Sequence, residues 1–218
     1  MKKHFFFFIL LLFPLLAAAQ TYKYIGVEDG LSNRRVYAIQ KGPKGYMWFL
    51  THDGIDRYNG KEFKHYKLMD GEEEVNSMMS LSWLYTDAKG RLWEIGKQGR
   101  VFCYESKHDR FQLVYKLPKS ETKDLHTPVS YGFIDDNYIV WLCNQKNIYL
   151  YDSETERCTT IKNEINESIT DIEQIDANHY FIGTDVGIHY AELKNNVLAL
   201  SPCHKLDTLR LEIYEQLL

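Results

Sequence analysis

Several signatures of enzyme chemistry are missing from this sequence of 218 residues. It contains no Gly-x-Ser-x-Gly nucleophile motif, no His-Glu-x-x-His zinc motif, no phosphate-binding loop and no glycine-rich dinucleotide motif. The eight histidines include no tightly spaced pair. We therefore expect a protein that is not an enzyme and that holds no cofactor and no metal ion.

Cysteine is scarce and widely spaced. The four residues form no Cys-x-x-Cys pair, which disfavours a zinc site. In an exported protein, four cysteines permit three disulfide pairings. A chain of this length does not depend on such links, so we expect most of the cysteines to be small buried thiols, with disulfides as the alternative. The residues are Cys103, Cys143, Cys158 and Cys203.

A basic surface stripe is also lacking. The formal net charge is −4, and acidic and basic residues are interspersed along the chain. Proteins that bind nucleic acid need positive charge to neutralise phosphates. We therefore expect no nucleic-acid partner.

Long apolar runs are absent except at the N-terminus, which reads MKKHFFFFILLLFPLLAAAQ. Two lysines, an apolar core from Phe5 to Leu16 and three alanines are typical of a secretory signal peptide. The core is shorter than the roughly 20 residues that span a bilayer, and no cysteine follows it, which disfavours a membrane or lipoprotein anchor. The sequence predicts a signal peptide at 1–19, cleavage between Ala19 and Gln20, and a periplasmic protein of net charge about −6.

An aromatic residue followed six positions later by glycine or asparagine occurs four times. The aromatic residues are roughly 40 to 48 positions apart, a period typical of propeller blades with four short strands. Glycine and asparagine tolerate the positive φ that tight hairpin turns require. We expect the aromatic residues to pack between blades. The four pairs are Trp48 and Gly54, Trp93 and Gly99, Trp141 and Asn147, and Phe181 and Gly187.

The fold predicted from this repeat is an all-β propeller with about four four-stranded blades. The run from Tyr46 to Leu50 is apolar at consecutive positions, so both faces of this strand must be buried, as between two neighbouring blades. The segment from Tyr22 to Ile25 is predicted to be an exposed or loosely attached edge. The predicted division is an N-terminal segment with a ring-closing strand at 20–32, blades at 33–68, 77–117, 127–163 and 168–201, and the start of a fifth blade or a C-terminal remnant at 202–218.

The first copy resembles the two-component regulator propeller repeat. The matching residues are EDGLSN from Glu28, the strand from Val36 to Ile39, the Gly-x-x-Trp strand, and THDGIDRYNG from Thr51. The second copy is a good match, the third and fourth are degenerate, and the resemblance covers about residues 22 to 200. It implies a ring of about seven blades in the periplasmic sensor of a hybrid histidine kinase. It also implies recognition of oligosaccharides from complex glycans and signalling through a homodimer. The remaining blades and the kinase would then belong to a longer chain, of which this is the N-terminal piece.

Propeller geometry predicts where a ligand would bind. Loops between the second and third strands, and loops between blades, gather on one face. Arginine and amide side chains there suit hydroxyl-rich or uronic-acid ligands, although solvated turn residues are the alternative interpretation for each position. The candidates are Arg34, Arg35, His52, Lys97, Gln98, Asn144, Gln145, Lys146 and Asp185. The acidic run from Asp70 to Glu74 is predicted to be a solvated loop rather than a metal site.

Three classes of function stay open. The favoured class is a sensory propeller for glycan fragments. The first alternative is a propeller glycosidase or polysaccharide lyase, although the catalytic signatures are missing. The second is a stand-alone interaction module or a truncated product without function.

Overall fold

Four four-stranded antiparallel sheets form the structure, in which each strand pairs with the next one along the chain. The computed structural model describes residues 22–75, 82–122, 129–165 and 167–202. The predicted signal peptide, the segment 203–218 and Cys203 lie outside the described residues. Each sheet is called a blade here, and the blades are numbered in chain order.

The strand bounds follow the repeat along the chain. Blade 1 contains β1 (Val36–Lys41), β2 (Met47–Thr51), β3 (Gly54–Tyr58) and β4 (Phe63–Tyr66). A two-stranded hairpin follows, with β5 (Met69–Asp70) and β6 (Glu73–Glu74). Blade 2 contains β7 (Ser82–Thr86), β8 (Leu92–Gly96), β9 (Arg100–Glu105) and β10 (Arg110–Lys116). Blade 3 contains β11 (Tyr131–Ile134), β12 (Ile139–Cys143), β13 (Asn147–Asp152) and β14 (Arg157–Lys162). Blade 4 contains β15 (Ile169–Gln174), β16 (His179–Thr184), β17 (Ile188–Lys194) and β18 (Val197–Pro202).

The first strands of successive blades lie next to one another. Strand β1 contacts β7, β7 contacts β11, and β11 contacts β15. This is the arrangement of inner strands around a propeller axis, with the other strands of each blade running outward. The predicted all-β architecture of an incomplete propeller is confirmed.

The hydrophobic core is divided among the three contacts between blades, which we call seams. In seam 1–2, Trp48 packs with Phe102 and Tyr104 of blade 2. Trp93 lies in seam 2–3 with Val140 of blade 3, and Trp141 lies in seam 3–4 beside Tyr180 of blade 4. The three indoles are at most 2% exposed. Each tryptophan therefore holds its own blade against the following one.

The outer faces of blades 1 and 4 expose apolar side chains. On blade 1, Tyr37 and Ile39 are 43% and 57% exposed, and on blade 4 Ile188 and Tyr190 are 44% and 36% exposed. Phe181, in the position of the tryptophans, is only half-buried and packs edge-on against Tyr190. Its exposure follows from its place on a face that no further blade covers among the described residues.

The segment before blade 1 forms no β-strand in the described range. Tyr22 and Tyr24 are 89% and 84% exposed, and a short 3-10 turn, Val27–Asp29, follows them. The side chain of Lys23 donates a hydrogen bond to the hydroxyl of Tyr58 at 3.2 Å. Residues 22–24 are thus loosely attached to the outer face of blade 1, and the ring-closing strand is not formed here.

Two expectations about the turns need correction. Positive φ occurs at Gly54 and Gly99, but not at Asn147 or Gly187. In the latter two turns a side-chain oxygen holds the backbone instead: Asn144 Oδ1 accepts the N–H of Asn147, and the Thr184 hydroxyl accepts that of Gly187. Side-chain acceptors of this kind stabilise a turn without a left-handed residue.

The acidic run forms a short hairpin rather than an irregular loop, while its glutamates Glu72, Glu73 and Glu74 are exposed to solvent as predicted. Its strands β5 and β6 pair with each other, and the carboxylate of Asp70 is bound by Arg100 at 2.9 Å and by Lys116 at 2.9 Å. Hydrogen bonds from Lys116 and Arg100 lower the pKa of Asp70. The hairpin is therefore attached by charge to the edge of blade 2.

The described cysteines all have free thiols but differ in exposure. Cys143 is buried, Cys103 is half-buried and Cys158 is exposed. Burial raises the pKa of Cys103 to about 12, and it also raises the pKa of Cys143. The expectation of a buried thiol holds for Cys143, is only partly met by Cys103, and is wrong for Cys158.

Candidate functional site

The turns between second and third strands and the loops between blades lie at one end of the blades, which we call the upper end. The turns between first and second strands and between third and fourth strands lie at the opposite, lower end. All nine candidate ligand residues are in upper-end turns or loops, because each follows a second strand or precedes β1.

On blade 1 the structure brings Arg35 and His52 together. The backbone N–H of His52 donates to the carbonyl of Arg35 at 3.1 Å, and the His52 ring is 3.0 Å from the hydroxyl of Tyr37. Arg34 and Arg35 are exposed. Two guanidinium groups and an imidazole are therefore presented at one corner of the upper end.

On blade 2, Lys97 and Gln98 are half-buried. The Lys97 ammonium is 5.7 Å from the ring centroid of Trp83, within range of a weak cation–π attraction. The Lys97 carbonyl accepts the backbone N–H of Val129, which precedes blade 3. The backbone of this turn thus helps to connect blade 2 to blade 3.

On blade 3, the side chain of Asn144 has a structural task. Its side-chain oxygen accepts the N–H groups of Lys146 and Asn147 at 2.9 and 2.7 Å, which fixes the turn. Gln145 and Lys146 are exposed. These two side chains are the parts of the turn that a ligand can reach.

Asp185 on blade 4 is also used within its own blade. Its N–H donates to the carbonyl of Ser168, and its carboxylate accepts the N–H of Ser168, both at 3.1 Å. Nearby, the Glu167 carboxylate accepts a hydrogen bond from the Thr184 hydroxyl and lies 3.1 Å from the His189 ring. These hydrogen bonds lower the pKa of Glu167. No sequence pattern indicates the pairing of Glu167 with His189, because 22 positions separate its members.

A buried carboxylate on blade 1 links three polar side chains. Asp56, whose side chain is 1% exposed, accepts hydrogen bonds from the hydroxyl and the backbone N–H of Ser32 at 2.7 Å each. Its other oxygen is 2.7 Å from the ring of His65, which lies opposite it in the β3–β4 pairing. Counting outward from the Asn59-Gly60 turn would have found this cross-strand pair. The serine thus attaches the segment before blade 1 to the hairpin.

Ser32, Asp56 and His65 do not have the order of a nucleophilic triad. In such a triad the histidine stands between serine and carboxylate and takes the serine proton. Here the carboxylate stands between the other two, and the Ser32 hydroxyl has Asp56 and Thr51 as partners. This group is therefore suited to holding structure rather than to activating a nucleophile.

Neither a metal cluster nor a membrane span is found in the part of the chain that the structure describes. No group of three or more His, Cys, Asp or Glu side chains is arranged to hold a metal ion there. No helix within the same residues has the length and apolar character needed to cross a membrane.

The fold is shared with several proteins of known structure. The extracellular domain of a putative hybrid two-component system from B. thetaiotaomicron matches 83% of this chain at 20% identity, with a TM-score of 0.62. A streptogramin B lyase matches 80% of the chain at 15% identity, with a TM-score of 0.57. PorZ, a surface component of the type-IX secretion system of Porphyromonas gingivalis, matches 77% at 12% identity, with a TM-score of 0.50.

The chain has the fold of part of a β-propeller. It spans 26% of the two-component domain, 57% of the lyase and 21% of PorZ. No protein-family model matches its sequence, and no curated protein does. At these identities the likeness establishes the fold, and it agrees with the resemblance of the first repeat to the two-component regulator propeller.

Proposed function

We propose that this chain is the N-terminal part of a periplasmic sensor propeller in a two-component system, and that it recognises oligosaccharides from complex glycans without chemical turnover. The observation that carries the sensor assignment is the fold shared over 83% of the chain with an extracellular domain of a hybrid two-component system. The repeat motif beginning at Glu28 supports it independently, because the structure gives that motif a defined role: Ser32 binds Asp56.

The saccharide ligand is supported by the chemistry of the upper end. Exposed guanidinium groups at Arg34 and Arg35, and exposed amide and ammonium groups at Gln145 and Lys146, are donors for hydroxyl and carboxylate oxygens. No phosphate-binding loop motif occurs in the sequence to compete with them. Such a surface favours a hydrophilic, extended ligand.

The remaining partners belong to the same proposal. The exposed apolar side chains on the outer faces of blades 1 and 4 resemble those buried in the three seams, so further blades of a longer chain would cover them. The kinase, and a homodimer that transmits the signal, would lie beyond those blades. This idea would be supported if this chain aggregates alone and a longer chain with further blades does not.

The second candidate function is an enzyme, which the fold shared with a streptogramin B lyase favours. Blade 1 brings together Ser32, Asp56 and His65, but the carboxylate lies between the other two side chains, which argues against a serine nucleophile there. Glycosidase or polysaccharide lyase activity would be detected by the products it forms from a glycan.

One experiment tests both candidates. A panel of plant and host oligosaccharides is titrated into the purified protein by calorimetry, and the same mixtures are assayed for new reducing ends and for unsaturated products. Binding without products supports the sensor, and turnover of any glycan overturns it. Arg34→Gln with Arg35→Gln should weaken binding about tenfold or more if the upper end is the site. Arg110→Gln, an exposed lower-end arginine, is the matched control.

A further inference from the structure

A cavity of about 390 Å³ lies between blades 3 and 4 at the lower end, away from every candidate residue named above. Its volume is in the range of small-molecule pockets. The apolar wall is formed by buried Leu150 with half-buried Ile139 and Leu193. Polar side chains line the rest, and they are Asp152, Thr155, Arg157, Thr159 and Asn196. The cavity thus combines an apolar surface with hydrogen-bonding groups.

The corresponding place in seam 1–2 is filled by charged side chains. There the carboxylate of Asp109 accepts hydrogen bonds from Arg57 at 2.8 Å and from Tyr66 at 2.6 Å, and it forms an ion pair with Lys64. Seam 2–3 is closed by the stacked rings of Tyr115 and Tyr151, with centroids 4.7 Å apart. A gap of this kind is therefore not a general property of the repeat.

Two of the three charged residues have neutral counterparts in seam 3–4. Leu150 takes the place of Arg57, since each is the third residue after the glycine or asparagine of its repeat. Thr159 takes the place of Lys64, because Thr159 pairs with Leu150 as Lys64 pairs with Arg57. Both counterparts line the cavity. Shorter side chains without charge have replaced two cations.

The carboxylate has been replaced as well. Asp109 directly precedes β10 with a φ of 50°, and Asn196 directly precedes β18 with a φ of 62°. The turn of blade 4 therefore offers an amide where the turn of blade 2 offers an acid. The internal acid that fills seam 1–2 has no equivalent in seam 3–4.

One cation, Arg157, lines the cavity together with one acid, Asp152, its cross-strand partner. The guanidinium of Arg157 has no hydrogen-bond or ion-pair partner in the described residues. The Asp152 carboxylate forms no ion pair with Arg157 in the described structure, because the N–H groups of Glu154 and Thr155 and the Thr155 hydroxyl bind it within its own turn. Arg157 is thus available to a carboxylate from outside the chain.

We infer that the cavity between blades 3 and 4 binds a hexuronic acid residue, with its carboxylate at Arg157 and its hydroxyls at Asn196 and Thr159. The C–H face of the sugar ring would lie on the apolar wall of Leu150 and Leu193. A ligand carboxylate would then bind a guanidinium in this seam, as the Asp109 carboxylate binds that of Arg57 in seam 1–2. The inference rests on the proposed function, since it specifies the saccharide as acidic and places a second subsite at the lower end.

The test compares acids with their neutral parents. Glucuronate, galacturonate, short oligogalacturonides, glucose and galactose are titrated separately into the purified protein and followed by calorimetry and saturation-transfer NMR. We expect the acids to bind and the neutral sugars to bind at least about tenfold more weakly, because a charge-assisted pair is lost. Equal binding of acids and neutral sugars, or no binding of acids, overturns the inference.

Three variants locate the site. Arg157→Gln should weaken uronate binding about tenfold or more, and Asn196→Asp should do the same, since it adds an internal carboxylate to the lining of the cavity. Arg110→Gln is the control, because Arg110 begins β10 as Arg157 begins β14 and the charge change is equal. Unfolding midpoints of all three show whether the fold is kept. A folded Arg157→Gln variant with unchanged uronate binding overturns the site.

The two proposals fail in different ways. If acids do not bind but another oligosaccharide of the panel does, the cavity assignment falls and the sensor proposal stands. If uronate binding is lost in Arg157→Gln and kept in the double variant of Arg34 and Arg35, the lower end is the acidic subsite. If no saccharide binds at all, both proposals fall.

Discussion

The indole N–H of Trp141 donates a hydrogen bond to Oδ2 of Asp135, six residues earlier, at 3.0 Å. The same relationship recurs in blade 2, where Trp93 donates to Asp87 at 2.9 Å. The other oxygen of each aspartate accepts backbone N–H groups of the turn between the first and second strands. One carboxylate therefore shapes the turn and also satisfies the buried indole that packs against the next blade.

The first prediction concerns Asp135, which also accepts a hydrogen bond from Tyr180 of blade 4 at 2.8 Å. Asp135→Ala leaves the buried indole N–H, the tyrosine hydroxyl and two backbone donors without their acceptor. We expect the free energy of unfolding to fall by roughly 3 kcal/mol, measured by urea denaturation. The control is Asp136→Ala, an exposed neighbour that should change stability by less than about 0.5 kcal/mol. Equal effects of the two would refute the role assigned to Asp135.

Blade 1 departs from this relationship, and the second prediction tests the reason. Gly42 stands where the aspartate would be, and Nε1 of Trp48 has no hydrogen-bond partner in the described structure. A Cβ atom on Gly42 would lie 2.4 Å from the Trp48 ring, which is fully buried and packs 4.7 Å from the ring of Tyr104. Gly42→Ala should therefore destabilise the protein by about 1–3 kcal/mol.

Gly187→Ala is the matched control for Gly42, because no atom lies within 4 Å of the position that its new methyl group would take, and its φ is not positive. We expect this variant to be neutral or slightly stabilising, since alanine restricts the unfolded chain. A thermal melt of both variants decides the question. A Gly42→Ala variant as stable as the parent would show that the indole can move aside.

The third prediction is a pH dependence caused by Glu94. This side chain is 2% exposed, its Oε2 has no hydrogen-bond partner in the described residues, and burial raises its pKa to about 7, although the charge of Arg100 opposes this. In the unfolded chain a glutamate loses its proton near pH 4.5. The protein therefore loses stability as the pH rises from about 4.5 to 7, because only the unfolded chain releases the proton, and the loss is complete above 7.

Glu94→Gln should remove that pH dependence and stabilise the protein at pH 8 by about 3 kcal/mol relative to the parent. At pH 4 the two should be equally stable. Glu173→Gln, at an exposed position, should leave the pH profile unchanged. Denaturant midpoints between pH 4 and 8 give the comparison. Parallel profiles for Glu94→Gln and the parent would contradict the prediction.

The fourth prediction concerns Asp109 in seam 1–2. Burial alone would raise its pKa, but hydrogen bonds from Lys64, Tyr104 and Tyr66 and the charge of Arg57 hold the pKa well below the usual range. The stability that this carboxylate supplies is present above its unfolded pKa of 3.8 and is lost as the pH falls. Asp109→Asn should lower stability at pH 7 by about 1 kcal/mol, a modest value because the side chain is 37% exposed.

The same variant should lose less stability than the parent between pH 5 and 3, because it has no carboxylate to protonate. Acid-induced unfolding followed by tryptophan fluorescence measures this difference. Asp53→Asn is a useful control, since its carboxylate has Asn33 as a neutral partner. If Asp109→Asn and the parent lose stability equally in acid, the four donors do not stabilise the protein through the charge of Asp109.

The candidate site was only partly accessible to sequence reasoning. The position of each loop in the repeat correctly predicted that all nine residues lie at one end of the blades. Of these, Arg34, Arg35, Gln145 and Lys146 remain the best candidates, because they are exposed. The turn roles of Asn144 and Asp185 needed the structure, because their partners are backbone groups. The lower-end cavity was missed, since it depends on what stands opposite Arg157 in the next blade.

The sequence by itself determined the repeat, the strand order and the packing role of the tryptophans. Periodic placement of Trp48, Trp93 and Trp141 is a local property, and strands that are apolar on both faces must be covered on both, as between two blades. Tertiary structure alone decided what each seam contains. Asp109 and Arg57 are 52 positions apart, so whether a seam is closed by a charged pair or left open as a cavity depends on which side chains the blades bring together.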